Sequence, residues 1–240
     1  MAVAEPSSIF RENLWRFNID QYNRLSEMGW FMDTKVELIH GVIIEKYPDT
    51  STCEPRPMPW TVVQYHQIAD MGWFGEKRLE LIDGDILEMA PIGSRHMTAV
   101  MLATHALEKA FGDDHAISVQ NAFRVGIRME PQPDIAVLPG TIREYADQMP
   151  TTALLIVEVS DTTLAYDRTW KMSLYAQAGI EEYWIVNLGQ QQIEVYRQPQ
   201  WKAADAPAFS YTDRTTYRSG DSIMPLNAPG AAVLAADLLP

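Results

Sequence analysis

Two segments of this 240-residue chain are apolar at nearly every position, and each carries a single carboxylate at one end. One runs Pro133-Asp134-Ile135-Ala136-Val137-Leu138. The other runs Leu154-Leu155-Ile156-Val157-Glu158-Val159-Ser160. Runs that do not alternate read as strands covered on both faces. An ionised carboxylate in such a place costs several kcal/mol or more unless it is paired. Two of them at the ends of neighbouring core strands, with a third charge close by, point to a divalent-metal site.

The third charge comes from the helix predicted over residues 165–178, with Asp161 or Thr162 as its cap and Gly179 as its end. On a 3.6-residue wheel Asp167, Lys171, Leu174 and Ala178 share one face, flanked by Trp170 and Tyr175, while Arg168, Met172, Ala176 and Gln177 lie towards the other side. An acid and a lysine therefore stand inside an apolar stripe. An ordinary i,i+4 ion pair, with the lysine stem laid over the core edge, accounts for them equally simply.

The front of the chain repeats itself. Residues 17–48 and 60–91 match without gaps: Gln21-Tyr22 with Gln64-Tyr65, Met28-Gly29-Trp30-Phe31 with Met71-Gly72-Trp73-Phe74, and Glu37-Leu38-Ile39 with Glu80-Leu81-Ile82. Such agreement marks an internal duplication. Each copy reads as a short helix followed by a hairpin, turned at His40-Gly41 in the first and at Asp83-Gly84 in the second. Thr61 and Gln64 form a capping box for the second helix. The linker 49–59 is turn-rich and reads as irregular. Further on, a helix capped by Ser94 extends to Phe111. Strands follow near 115–120, 123–129, 134–138, 154–159, 183–187 and 192–197, and short strands in the tail include 208–212 and 231–234. Tyr175, Tyr183 and Trp184 read as core aromatics.

In order and spacing, Pro133-Asp134, Glu158-Val159-Ser160, Asp167-Arg168-Thr169-Trp170-Lys171 and Glu182-Tyr183-Trp184-Ile185-Val186 resemble the Uma-type family of putative restriction endonucleases. That family falls in the PD-(D/E)XK nuclease superfamily. Leu79 to Asp85, the helix beginning near His96, and Ala236-Asp237-Leu238-Leu239 extend the likeness over residues 60–240. The resemblance implies a restriction-endonuclease-like α/β (α+β) core, a central mixed sheet flanked by helices. It also implies Mg²⁺-dependent hydrolysis of DNA phosphodiester bonds, with Mn²⁺ as a substitute. Asp134 and Glu158 would hold the metal. The superfamily lysine two residues after the glutamate is Ser160 here, so Lys171 would supply the positive charge from the helix. Asp167 would set Lys171, and Ser160 would bond a metal-bound water. Glu80 and His96 are further supporting candidates, although Glu37 duplicates Glu80 and ties it to the hairpin itself. His105 and His115 receive no role.

The charge balance opposes a nucleic-acid partner: 32 acidic against 19 basic residues leave a net charge of −13, which repels DNA at long range. Arg124 and Arg128, projecting from one side of the predicted strand 123–129, are the candidate DNA contact, extended by Arg95, Lys109 and Arg143; the same residues also read as scattered solubilising charges. With Cys53 as its one cysteine the chain forms no internal disulfide and no thiol-zinc cluster. Residues 1–10 lack a signal-peptide pattern and no run approaches a membrane span, so a cytoplasmic protein is expected. The expected division is 1–58, the extra module and linker, and 59–240, the nuclease-like domain, with a homodimer as a plausible state for cutting both strands. A catalytically inactive nuclease-fold protein that binds DNA or a protein partner is the alternative, and a hydrolase of smaller phosphoesters is a third reading.

Overall fold

The computed structural model describes residues 13–46, 55–201 and 209–240. The opening residues 1–10, Cys53 and Ala208 lie outside them. The chain divides into two compact units, residues 1–90 with 126–131, and residues 91–125 with 132–240. The expected boundary at 58/59 separates the two repeats and falls inside the first unit.

In the first unit the duplication holds residue for residue. Helix α1 (Ile19–Glu27) and hairpin β1 (Val36–Ile39) with β2 (Val42–Glu45) recur 43 positions later as α2 (Val62–Asp70), β4 (Leu79–Ile82) and β5 (Asp85–Glu88). Asn18 and Thr61 cap the two helices, each closing a capping box with a glutamine three residues on. The turn residues His40 and Asp83 have φ of 48° and 51°, and Gly41 and Gly84 have 81° and 86°, the left-handed pair a two-residue hairpin demands. Tyr22 and Tyr65 donate to the backbone carbonyls of Val36 and Leu79, at 3.3 and 3.0 Å. Contacts across the two copies are reciprocal: Trp15 N bonds Ile86 O while Met58 N bonds Ile43 O, both at 2.8 Å. Likewise Leu14 bridges Leu87 while Pro57 pairs with Ile44. Phe17 and Trp60, equivalent positions, meet with ring centroids 5.3 Å apart. These are the contacts of a local two-fold axis, around which Leu25, Ile68, Phe17 and Trp60 form one core. The second half of the linker is more ordered than its composition implies, since β3 (Arg56–Pro57) pairs with β2.

In the second unit, helix α3 (Ser94–Phe111) packs on a six-stranded sheet. In spatial order the strands are β11 (Phe209–Arg218), β10 (Gln192–Trp201), β9 (Glu182–Asn187), β8 (Leu155–Ser160), β7 (Ile135–Pro139) and β6 (His115–Val119). The β8–β9 pair is parallel and the others antiparallel, so the central mixed sheet flanked by helices stands. β8 and β9 are buried at every residue. Val157 and Val159 on one face meet α3, and the other face carries the clustered rings of Tyr175, Tyr183, Tyr196 and Tyr211. The C-terminal end, with β12 (Ser222–Ile223), β13 (Val233–Leu234) and a 3₁₀ turn Ala235–Leu238, packs into the α3 side of the core.

Several expectations need correction. No strand forms over 123–129, despite its alternating apolar residues. The carbonyls of Ile127 and Arg128 accept from Val62 and Gly84, and Glu130 exchanges two bonds with Leu81; these backbone groups serve the first unit. Arg124 bonds Pro150 O through its amide in the second unit. The strand that was to present Arg124 and Arg128 together is therefore absent, and the two belong to different units. Ser94 begins α3 as a helical residue, with Gly93 at the cap. Glu80, on β4, is fully buried. With Glu130 it adds to burial in pushing the Tyr65 hydroxyl up to about 12.

Gly84 tests the two-fold packing. A Cβ there would lie 2.9 Å from Pro59 Cα and Cβ, whereas at Gly41 the nearest atoms, Arg16 Cβ at 3.0 Å and Phe17 O at 3.3 Å, leave slightly more room. In denaturant unfolding Gly84→Ala is expected to cost about 2 kcal/mol and Gly41→Ala about 1 kcal/mol. Equal losses would mean that the Pro59 contact gives way freely.

Candidate active site

Antiparallel register brings the two carboxylates together. Ile135 pairs with Val157, so Asp134, one residue earlier, stands opposite Glu158, one residue later. Both residues are nearly inaccessible, at 7% and 3%. Asp134 N lies 3.4 Å from Glu158 Oε2, and Val159 N donates to Asp134 Oδ2 at 2.9 Å.

Three further elements converge on this pair. From the first turn of α3, His96 Nε2 lies 2.9 Å from Asp134 Oδ1. An ionised carboxylate only accepts, so Nε2 carries the proton. From the end of β6, Gln120 Nε2 donates to the same oxygen at 3.1 Å, and its backbone N bonds Asp134 O at 3.1 Å. Gln120 holds a left-handed φ of 53°, which is uncommon outside glycine and asparagine.

The third element is the helical run 164–177. It starts as α4 (Leu164–Tyr166), passes through a π-helical segment (Asp167–Lys171) and ends as α5 (Met172–Gln177). Thr163 stands at its cap, and Gly179 comes after it with φ of 74°. Lys171 Nζ and Tyr175 Oη both donate to Glu158 Oε1, at 3.0 and 2.7 Å. The straight wheel holds for Asp167, Lys171, Leu174 and the flanking Tyr175, all buried, and the π segment corrects it at Ala176, which is buried as well. Such a turn inserts one residue and rotates everything after it. Two tethers hold it. Tyr183 Oη donates to Asp167 O at 3.1 Å, and Arg168 Nε donates to buried Glu194 at 2.9 Å. Burial works against the Glu194 charge, but bonds from Arg168, Asn187, Tyr196 and Gln192 hold its carboxyl down to about 2.

Electrostatics differ among the acids. Burial opposes ionisation of Asp134, yet the His96 bond and charge, the Lys171 charge and the Val159 amide outweigh it, and its pKa lies below the ordinary value. For Asp167 burial prevails, lifting it to about 6 against the pull of Lys171 and the bond from Thr163. Thr163 Oγ1 donates to Asp167 Oδ2 at 2.7 Å. Ser160 Oγ, fully buried nearby, adds a further pull that lowers the Asp167 pKa.

Asp134, Glu158, Lys171 and His96 thus form one bonded cluster, with Asp167 and Ser160 beside it. Glu80 and Arg128 belong to the other unit. Gln120 and Tyr175 are the contributors that sequence reasoning missed. The i,i+4 spacing of Lys171 and Tyr175 was a usable signal for the tyrosine; Gln120 offered none. Among the described residues no three His, Cys, Asp or Glu side chains form a metal cluster. Two carboxylates are what remain, with the buried Ser160 hydroxyl beside them. Hard oxygen donors this few fit Mg²⁺, which keeps several waters.

The family described as Uma2, putative restriction endonuclease, matches residues 62–225. The chain belongs to the Uma2 family. The matched span takes in every residue of the cluster and leaves the first helix–hairpin copy outside. Among solved structures, a putative nuclease from Anabaena variabilis ATCC 29413 aligns with a TM-score of 0.53 and 15% identity, over 68% of this chain and 90% of its own. At that identity the likeness shows the fold alone. No curated protein matches. Among the described residues no helix is long and apolar enough to cross a membrane.

Asp167 gives the site a pH signature. Its folded pKa is above its ordinary value of 3.8, so the native state holds the proton more tightly and stability falls as pH rises from about 4 to about 6. In metal-free protein, Asp167→Asn is expected to remove ~2 kcal/mol of that decline. An unchanged slope in pH-dependent unfolding would contradict the raised value.

Proposed function

We propose that this Uma2 protein is a Mg²⁺-dependent endonuclease that hydrolyses phosphodiester bonds of DNA. The reading rests above all on Asp134 and Glu158 facing each other across two paired core strands with Lys171 bonded to Glu158. The family name and the nuclease-like fold support it.

Asp134 and Glu158, with the backbone carbonyl of Val159, would hold the cation. When bound, a hard divalent ion lowers the pKa of water and offsets negative charge on the phosphoryl group. His96 and Gln120 fix Asp134 from one side and Val159 N from the other, so its oxygens are set before any ligand arrives. Lys171, anchored on Glu158, places a positive charge where negative charge builds on the phosphoryl oxygens. Tyr175 holds Glu158 in place from beneath. Asp167 faces Lys171 from the preceding turn, and Ser160 Oγ offers a hydrogen bond to bound water.

A non-catalytic binding protein is the second reading. One observation favours it: both oxygens of Asp134 and Oε1 of Glu158 already accept protein hydrogen bonds, and an acidic chain attracts DNA poorly. Supercoiled plasmid and single-stranded DNA, incubated with Mg²⁺, Mn²⁺ or EDTA, separate the two. Metal-dependent nicking, reduced at least about a hundredfold in Asp134→Ala and in Lys171→Ala, is expected. Mn²⁺ binding lost in Asp134→Ala without any cleavage would support the binding protein. Cleavage undiminished in both variants would remove the assignment altogether.

A further inference from the structure

In the first unit the second helix–hairpin copy carries an extended segment that the first copy lacks. Val62 N donates to Ile127 O at 2.8 Å and Gly84 N to Arg128 O at 2.9 Å. Glu130 N donates to Leu81 O at 2.7 Å, and Leu81 N to Glu130 O at 3.4 Å. Residues 127–130 thus lie along the outer edge of β4 as an added strand would. The equivalent positions in the first copy are Ile19, Gly41 and Leu38, each 43 residues earlier.

Their backbone is built the same way. Ile39 pairs with Val42 across a two-residue turn, as Ile82 pairs with Asp85. In antiparallel alternation the next pair, Leu38 with Ile43, directs its amide and carbonyl away from the hairpin partner. Among the described residues no acceptor meets the amides of Ile19, Leu38 or Gly41, and no donor meets the Leu38 carbonyl. The side chains agree. Ile19 is 57% exposed where Val62 is 4%, and Ile39 is 45% exposed where Ile82 is 4%. An open edge with apolar residues beside it is a template for another strand.

We propose that the β1 edge of the first copy binds an extended segment of a partner protein by strand addition, in the manner of residues 127–130 on the second copy. The chain's own segment on the equivalent surface shows which occupant fits, and main-chain bonds would supply most of the affinity. A side-chain preference goes with it. His66 Nε2 meets Glu130 Oε1 at 2.8 Å, and Asn23 stands in the place of His66. Asn23 is a neutral donor and acceptor, so an amide side chain at the Glu130 position can pair with it through both. The inference stands on the first unit alone and is independent of the nuclease reading.

Amide hydrogen exchange on the full chain provides the test. In the free protein the amides of Ile19, Leu38 and Gly41 should exchange rapidly while those of Val62, Leu81 and Gly84 are protected; protection of Leu38 in the free protein would show the edge already covered and end the proposal. The probe is a synthetic peptide of residues 126–131 carrying Glu130→Gln, at on the order of 1 mM. It should slow exchange at Ile19, Leu38 and Gly41 by about tenfold or more. The same peptide N-methylated at that glutamine, whose N–H would meet the Leu38 carbonyl, should not. No protection by the first peptide, equal protection by the second, or protection confined to Val62, Leu81 and Gly84 would each overturn the assignment.

Discussion

The register of β7 against β8 sets a problem that much of the second unit then resolves. Once Ile135 lies opposite Val157, Asp134 and Glu158 must share a buried space, and neither can be left bare. An uncompensated carboxylate in the interior costs several kcal/mol, comparable with the whole stability of a domain. Donors therefore arrive from separate stretches of chain: the start of α3, the end of β6, the backbone of β8 and the helical run. Each is fixed by scaffold packing first. His96 is placed because α3 buries Ala99, Val100, Ala103 and Leu107 against the sheet. Lys171 and Tyr175 are placed because the helical run lies over the tyrosine cluster. A site assembled this way is rigid by construction, because moving any one donor exposes a charge to an apolar interior.

The helical run shows what such a demand does to local structure. A regular α-helix would keep Ala176 on the opposite side from Lys171. The π turn brings Ala176 round to the buried side while leaving Asp167, Lys171 and Tyr175 there. Its poorer backbone geometry is offset from outside, by Tyr183 on the Asp167 carbonyl and by Glu194 on Arg168. Neither residue is near the helix in sequence. A wheel drawn from the helix alone contains no term for them, so it places the acid, the lysine and Tyr175 correctly and misplaces Ala176.

The same division separates the legible parts of the sequence from the rest. The duplicated module was readable because its signals are local: the repeated residues, the Thr61 cap, and two-residue turns that need positive φ. Asp134, Glu158 and Lys171 were readable because charge inside an apolar run violates burial and calls for a partner. Residues 123–129 misled for the opposite reason. Phe123, Val125, Ile127 and Met129 alternate as a strand does, yet the carbonyls of Ile127 and Arg128 are claimed by distant amides in the first unit and the Arg124 amide by Pro150. Gln120 was invisible because a glutamine after a strand is ordinary; only the fold reveals that its amide and its strained backbone both address Asp134.

Charge ties the site to the whole chain. The net of −13 invites the view that its acids form a repelling surface. Several of them instead lie inside, Glu182 on Arg197 and Glu194 on Arg168 and Arg214 among them. Those pairs are internally compensated and add little field outside. The cluster around Asp134 is different: Glu158 and Asp167 add two more acids, against which stand Lys171 and His96. Asp167 meets that excess by holding its proton to higher pH. Asp134 does not, because its donors keep it ionised. The residual negative charge is therefore concentrated on the two strand-borne carboxylates, where a small hard cation gains most by binding.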